Sequence, residues 1–173
     1  RSLKILNDQQ IYPRWQHIAN SSGLLNNLYF KNKIGNLART GIALYGIDPE
    51  GKDKNLKPVL QLKTHVAQVK DLKKGERIGY DFTYQAKENM RIGILPVGYN
   101  DGLDRRLTNK GAVAIGNATC PIIGRVSMNI TTIDVSLISN IQVGQEVIVL
   151  SSNKIHKNSI ENLSKISNTI PYE

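Results

Sequence analysis

The chain has one cysteine, Cys120, so no disulfide can form within it. Its three histidines, His17, His65 and His156, stand isolated, and no Cys/His cluster has the spacing of a zinc site. Both features fit a reducing cytoplasm. No apolar run reaches the roughly 18 residues that a membrane-spanning helix needs, and the start carries no signal-peptide pattern. Methionine occurs only at Met90 and Met128 and the chain opens on Arg1; an interior fragment or a processed chain is expected. Phe and Trp are scarce, at two and one, and basic residues are dispersed rather than run together. The formal charge of +9 therefore reads as a solvated surface and not as a nucleic-acid face.

What is present points to a packed core: 40% of residues are hydrophobic and 21% charged. The pattern changes along the chain. Up to about residue 46 it alternates between strand and helix. "WQHIANS" reads as a short strand ending in the helix-start signal Asn20-Ser21-Ser22. "GLLNNLYF" continues as a helix, and "GNLARTGIALYG" as a second strand entering a Gly-bounded turn. Strand, helix and strand make a βαβ unit that cannot bury both faces alone, so a larger α/β body is expected around it. "DPEGKDKN" (48–55) reads as a linker.

Beyond it the pattern is that of strands separated by turns: 59–69, 91–98, 111–116, 121–128, 131–135 and 145–151. This predicts a mainly β protein, with an antiparallel sandwich or barrel. One helix is expected near 158–167, capped by Asn158 or Ser159, with Ile160, Leu163 and Ile166 facing the core.

Four features can carry chemistry. Ser21 at the strand-to-helix junction can bind an anion or can simply belong to a helix cap. Arg39 and Gly41 lie at a strand end, where parallel α/β bodies place their sites, or they mark an ordinary surface turn. The Asn100-Asp101-Gly102 turn gathers Tyr99, Arg105 and Arg106 at one rim, which is also how a solvated hairpin end looks. Tyr80 closes a strand expected over 77–80 and broken by Asp81. A phenol is a poor base at neutral pH, with a reference pKa near 10, unless a neighbouring cation or hydrogen bonds to the phenolate help; alternation turns Arg77 to the opposite face. Without such help Tyr80 is a snorkelling strand-end residue.

These stretches together resemble the C-terminal part of the alanine racemase family. "HIANSSG", "ARTGIALYG", "LKPVLQLKTHVAQVK", "GERIGYDFTYQAK", "RIGILPVGYNDG", "IIGRVSMN" and "TIPY" follow in the family's order. The resemblance implies that residues 1–50 are the last units of an N-terminal (β/α)8 barrel and 55–173 a C-terminal β domain. It implies pyridoxal 5′-phosphate as cofactor, alanine as substrate, a cytoplasmic homodimer, and D-alanine supply for bacterial cell walls. Ser21, Gly41, Ile42 and Tyr172 match phosphate-contacting positions. Arg39 matches the arginine facing the pyridine nitrogen, with His17 supporting it. A guanidinium only donates, so the ring nitrogen stays unprotonated and the cofactor is a milder electron sink.

Tyr80 matches the acid/base that serves the partner subunit's site. Met128 matches a substrate-carboxylate contact, and Tyr99, Arg105 and Arg125 match entrance positions. The family's Schiff-base lysine has no counterpart here: Lys63, Lys70 and Lys110 all lack an apolar setting, and the chain alone is expected to be inactive. Asn129 stands where the family usually has Asp, which leaves a serine or broad-specificity racemase open. Asp81 stands where a small residue, often Gly, follows the tyrosine. A non-catalytic basic binding module is the remaining alternative.

Overall fold

A computed structural model describes residues 2–26, 35–53 and 55–173. The chain divides into two compact units, Arg1–Lys57 and Pro58–Glu173. In the first, helix α1 (Ser2–Asp8) precedes strand β1 (His17–Ala19), helix α2 (Ser21–Leu25) and strand β2 (Leu37–Ala38). Strands β1 and β2 pair in parallel. The expected strand, helix and strand are therefore present, although the part of the expected helix beyond Asn26 lies outside the described residues. Helix α1 was not evident in the sequence. The expected linker has an internal structure: the Asp48 carboxylate accepts the amides of Glu50, Lys52 and Asp53. Those donors, the Asp53 amide first, hold its pKa below the ordinary carboxylate value.

The second unit is mainly antiparallel β, as the strand-and-turn rhythm predicts. It is built from β3 (Leu62–His65), β4 (Gln68–Leu72), β5 (Arg77–Ile78), β6 (Tyr84–Gln85), β7 (Met90–Leu95), β8 (Ala112–Ile115), β9 (Ala118–Pro121), β10 (Thr131–Asp134), β11 (Glu146–Leu150) and helix α3 (Ile160–Ile166). One sheet has the order β10-β7-β4 and another β3-β11-β8-β9. Alternating residues from both sheets, among them Leu95, Ile133, Val113, Val147 and Val149, share one buried core. At about 25 cal/mol per Å² of apolar surface, that burial is the main stabilising term. Cys120 lies in this core, and burial, with Asp134 as a lesser cause, raises its thiol pKa to about 11.

Two expected strands are corrected. Residues 59–69 do not form one strand. The Val66 amide bonds to Gln145 beside β11, while the next amide, Ala67, bonds to Ile94 in β7. The chain crosses from one sheet to the other there and continues as β4. Residues 121–128 are mostly a loop: β9 ends at Pro121, and Gly124 takes φ +74°. Ile122, Ile123 and Val126 are apolar because the loop is buried, not because it is paired along its length. Ser159, not Asn158, caps α3 by accepting the Asn162 amide, while the Asn158 side chain donates to the Ile148 carbonyl. Leu163 and Ile166 pack on the core as expected, and Ile160 is half-buried.

Candidate functional site

In the first unit the junction between β1 and α2 is organised by Ser21. Asn20 caps α2 by accepting the Gly23 amide, which leaves the Ser21 hydroxyl free for a longer-range role. Ser21 is buried, and its Oγ accepts the amides of Gly41 at 3.1 Å and Ala43 at 3.3 Å. The sequence pointed to Gly41 and Ile42; Ile42 is buried, and the amide that joins Gly41 at the hydroxyl is that of Ala43. A Cβ on Gly41 would meet nothing within 4 Å, so space lies open beside these donors. Arg39 follows β2, with its amide on the Ala19 carbonyl and its side chain exposed. His17 lies at the other end of the paired strands, in register with Leu37. Among the described residues no hydrogen bond joins His17 to Arg39, so the expected supporting contact is not made.

In the second unit three loops converge. Strands β5 and β6 form a hairpin, and Gly79–Thr83 is its tip. The strand expected over 77–80 therefore stops at Ile78. Gly79 breaks it, at φ +80°, and not Asp81. Tyr80 is displayed on this tip, 68% exposed. A Cβ on Gly79 would lie 2.7 Å from the Arg125 amide nitrogen, so the tip packs backbone to backbone against the 122–128 loop. Asn109 joins the same two segments: its side chain donates to the Thr83 carbonyl and accepts the Gly124 amide.

The third loop is Gly98–Leu107, which forms two 3-10 turns and not the expected hairpin. The Tyr99 amide bonds to the Ser127 carbonyl and the Asn100 amide to the Met128 carbonyl, each at 3.0 Å. The structure thus brings Tyr80, Tyr99, Arg105, Arg125 and Met128 onto adjoining loops of one unit. Tyr172 lies beside this third loop, at a cavity that it shares with Asp101, Asp104 and Leu107 of the loop and with Leu62 and Leu163.

The charges are paired selectively. Arg125 donates to the Asp81 carboxylate. Arg106 holds Asp104 through Nε and Nη2, which lowers the Asp104 pKa, and also reaches Glu173 at 3.5 Å. Arg105 has no carboxylate partner among the described residues and lies over the Tyr99 ring at 5.8 Å. Among the described residues it is a cation of this rim left available to an anion. Asn109 and the Asp81–Arg125 pair did not emerge as site features from the sequence. An Asn in a turn that tolerates positive φ, here +55°, is the signal that marks the first; the second depends on residues 44 apart in sequence.

The family model for the alanine racemase C-terminal domain matches residues 59–173. An alanine racemase of Borreliella burgdorferi is 38% identical over 99% of this chain, and one of Brucella ovis 41% identical over 90%. The chain spans 45% and 42% of those relatives, less than half of their length. Among solved structures, the alanine racemase of Bartonella henselae with covalently bound pyridoxal phosphate superposes with a TM-score of 0.81 at 30% identity, covering 99% of this chain and 46% of its own. That of Bacillus anthracis with bound L-Ala-P gives 0.84 at 31% identity, covering 99% and 44%.

Proposed function

The chain belongs to the alanine racemase family, and from that premise we propose that it supplies part of the cofactor site and one of the two acid/base groups of a pyridoxal phosphate-dependent alanine racemase. Residues 1–50 then belong to the barrel that carries the rest of the cofactor site, and 55–173 to the β domain. The observation that carries the reading is the display of Tyr80. Its phenol sits at a hairpin tip, 68% exposed, with Phe82 at 66%, Met128 at 52% and Tyr99 at 45% on the same and adjoining loops. An apolar, aromatic surface of this kind around a candidate proton carrier asks for a second protein surface to complete it. A homodimer supplies one, with Tyr80 reaching the partner's site.

The cofactor fits the residues present. The buried Ser21 hydroxyl gathers the Gly41 and Ala43 amides beside open space; its own O–H is left to donate, and a bound phosphate would take over the amides that the hydroxyl oxygen now accepts. Arg39, Ile42 and Tyr172 keep the roles that the resemblance gives them; His17, without a hydrogen bond to Arg39, does not. When bound, pyridoxal phosphate supplies the electron-withdrawing ring that makes an amino acid's α-proton removable. Tyr80 then carries that proton at its hydroxyl oxygen on one face of the substrate, and a group outside this chain carries it on the other. The Met128 amide and Arg105 orient the substrate carboxylate, and Tyr99 lines the approach.

The full-length protein with pyridoxal phosphate is expected to convert L-alanine to D-alanine and back, while this segment alone does neither. A chiral amino-acid assay reads the result. A full-length protein inactive on alanine but active on serine would place the specificity elsewhere. Activity on neither, with the cofactor bound, would overturn the reading.

A further inference from the structure

The tip that carries Tyr80 is held in a conformation that its own sequence does not favour. Asp81 and Phe82 are both left-handed, at φ +58° and +51°. Side chains other than glycine rarely adopt this region, and two in succession are rarer still. Phe82 is largely exposed, at 66%, and belongs to neither buried core cluster of this unit. Gly79 and Gly124 face each other, and the Asn109 staple ends at Thr83. Between these fixed points the Phe82 amide closes the turn on the Gly79 carbonyl at 3.1 Å, and the side-chain restraint on Asp81 among the described residues is its carboxylate on Arg125.

Arg125 is the anchored partner. Its side chain is 31% exposed against 70% for Asp81, and its own backbone is pressed against Gly79.

We propose that Asp81 and Arg125 form a clamp that positions Tyr80 by holding its turn left-handed. Asp81 is a positioning residue and touches no substrate. The ion pair also takes up the Arg125 charge, so the carboxylate beside Tyr80 is not a free anion. This inference rests on the catalytic reading of Tyr80.

The test uses the full-length enzyme with pyridoxal phosphate bound. Asp81→Ala lowers kcat about tenfold, with KM changed by no more than about twofold, as expected when a reacting group is misplaced and not removed. The thermal midpoint stays within about two degrees of wild type, because a half-exposed ion pair contributes little to global stability. Asp81→Gly restores most of kcat, since glycine adopts the turn without a clamp. Asp81→Ala and Arg125→Ala are non-additive in kcat, as for two halves of one device. With α-deuterated alanine, the isotope effect in Asp81→Ala rises in only one direction of racemisation, the one in which Tyr80 takes the proton.

An Asp81→Ala enzyme with wild-type kcat overturns the clamp while leaving the role of Tyr80 intact. So does Asp81→Gly behaving no better than Asp81→Ala, an isotope effect that rises equally in both directions, or a loss of activity accompanied by loss of cofactor. A Tyr80→Phe enzyme that racemises normally overturns the underlying reading and the clamp with it.

Discussion

Tyr80→Phe in the full-length protein lowers racemisation by roughly two to four orders of magnitude, the range over which a positioned general acid or base acts, and leaves pyridoxal phosphate bound. The substitution removes one oxygen and nothing else. Tyr80 makes no hydrogen bond within its own chain among the described residues, and its ring is largely exposed, so no packing in this chain depends on the hydroxyl. The change therefore separates chemistry from folding. The residues proposed to hold the cofactor, Ser21 with the Gly41 and Ala43 amides, belong to the other unit and are unchanged by the substitution. Rates in both directions, with cofactor content read from absorbance, check the result.

Gly98→Ala is expected to destabilise the chain by about 3 kcal/mol or more, at the upper end of what overpacking costs. Gly98 is extended, at φ −151°, so the backbone itself accepts any residue. The obstacle is space. A Cβ would lie 2.2 Å from the Ser127 carbonyl oxygen and 2.4 Å from that of Met128. Both obstacles are backbone, and both carbonyls already accept amides, from Tyr99 and Asn100. Relief requires the two loops to separate, which displaces Met128 and Tyr99 together. A useful comparison is Gly116→Ala, where a Cβ meets nothing within 4 Å and only the positive φ of +55° opposes it. That variant is expected to lose about 1 kcal/mol. Thermal melts of the two variants should differ by several degrees; equal midpoints would contradict the packing argument.

Much of the β unit is legible locally. "RIGIL", "GAVAI", "TTID" and "QEVIVL" become β7, β8, β10 and β11 because each is a short β-prone run bounded by turn residues. The βαβ character of the first unit is legible for the same reason, in the Asn20 cap and the Gly41 turn. What fails is whatever depends on distant partners. The apolar alternation runs unbroken through Val66 and Ala67, yet their amides bond to Gln145 and Ile94 in different sheets. "IIGRV" is as apolar as a strand because it fills the space between loops.

The site divides in the same way. Ser21, Gly41, Tyr99, Arg105 and Met128 could be named from motifs, and the structure groups them within their units. The hairpin tip beneath Tyr80 could not. Its shape depends on a glycine-to-glycine contact and an ion pair across 44 residues, and neither leaves a periodic signal. Nor did the sequence show that His17 makes no hydrogen bond to Arg39; the register of β1 against β2 sets His17 opposite Leu37.

Mixed dimers show whether Tyr80 works in a partner's site. Two full-length variants are prepared, Tyr80→Phe and one lacking the cofactor-anchoring lysine that the resemblance implies in the rest of the protein. Each alone is expected to be nearly inactive. After mixing under conditions that exchange subunits, each hybrid dimer joins an intact lysine in one protomer to an intact Tyr80 in the other, and racemase activity returns. If Tyr80 serves its own protomer, every site in the hybrid keeps one defect, and mixing restores nothing.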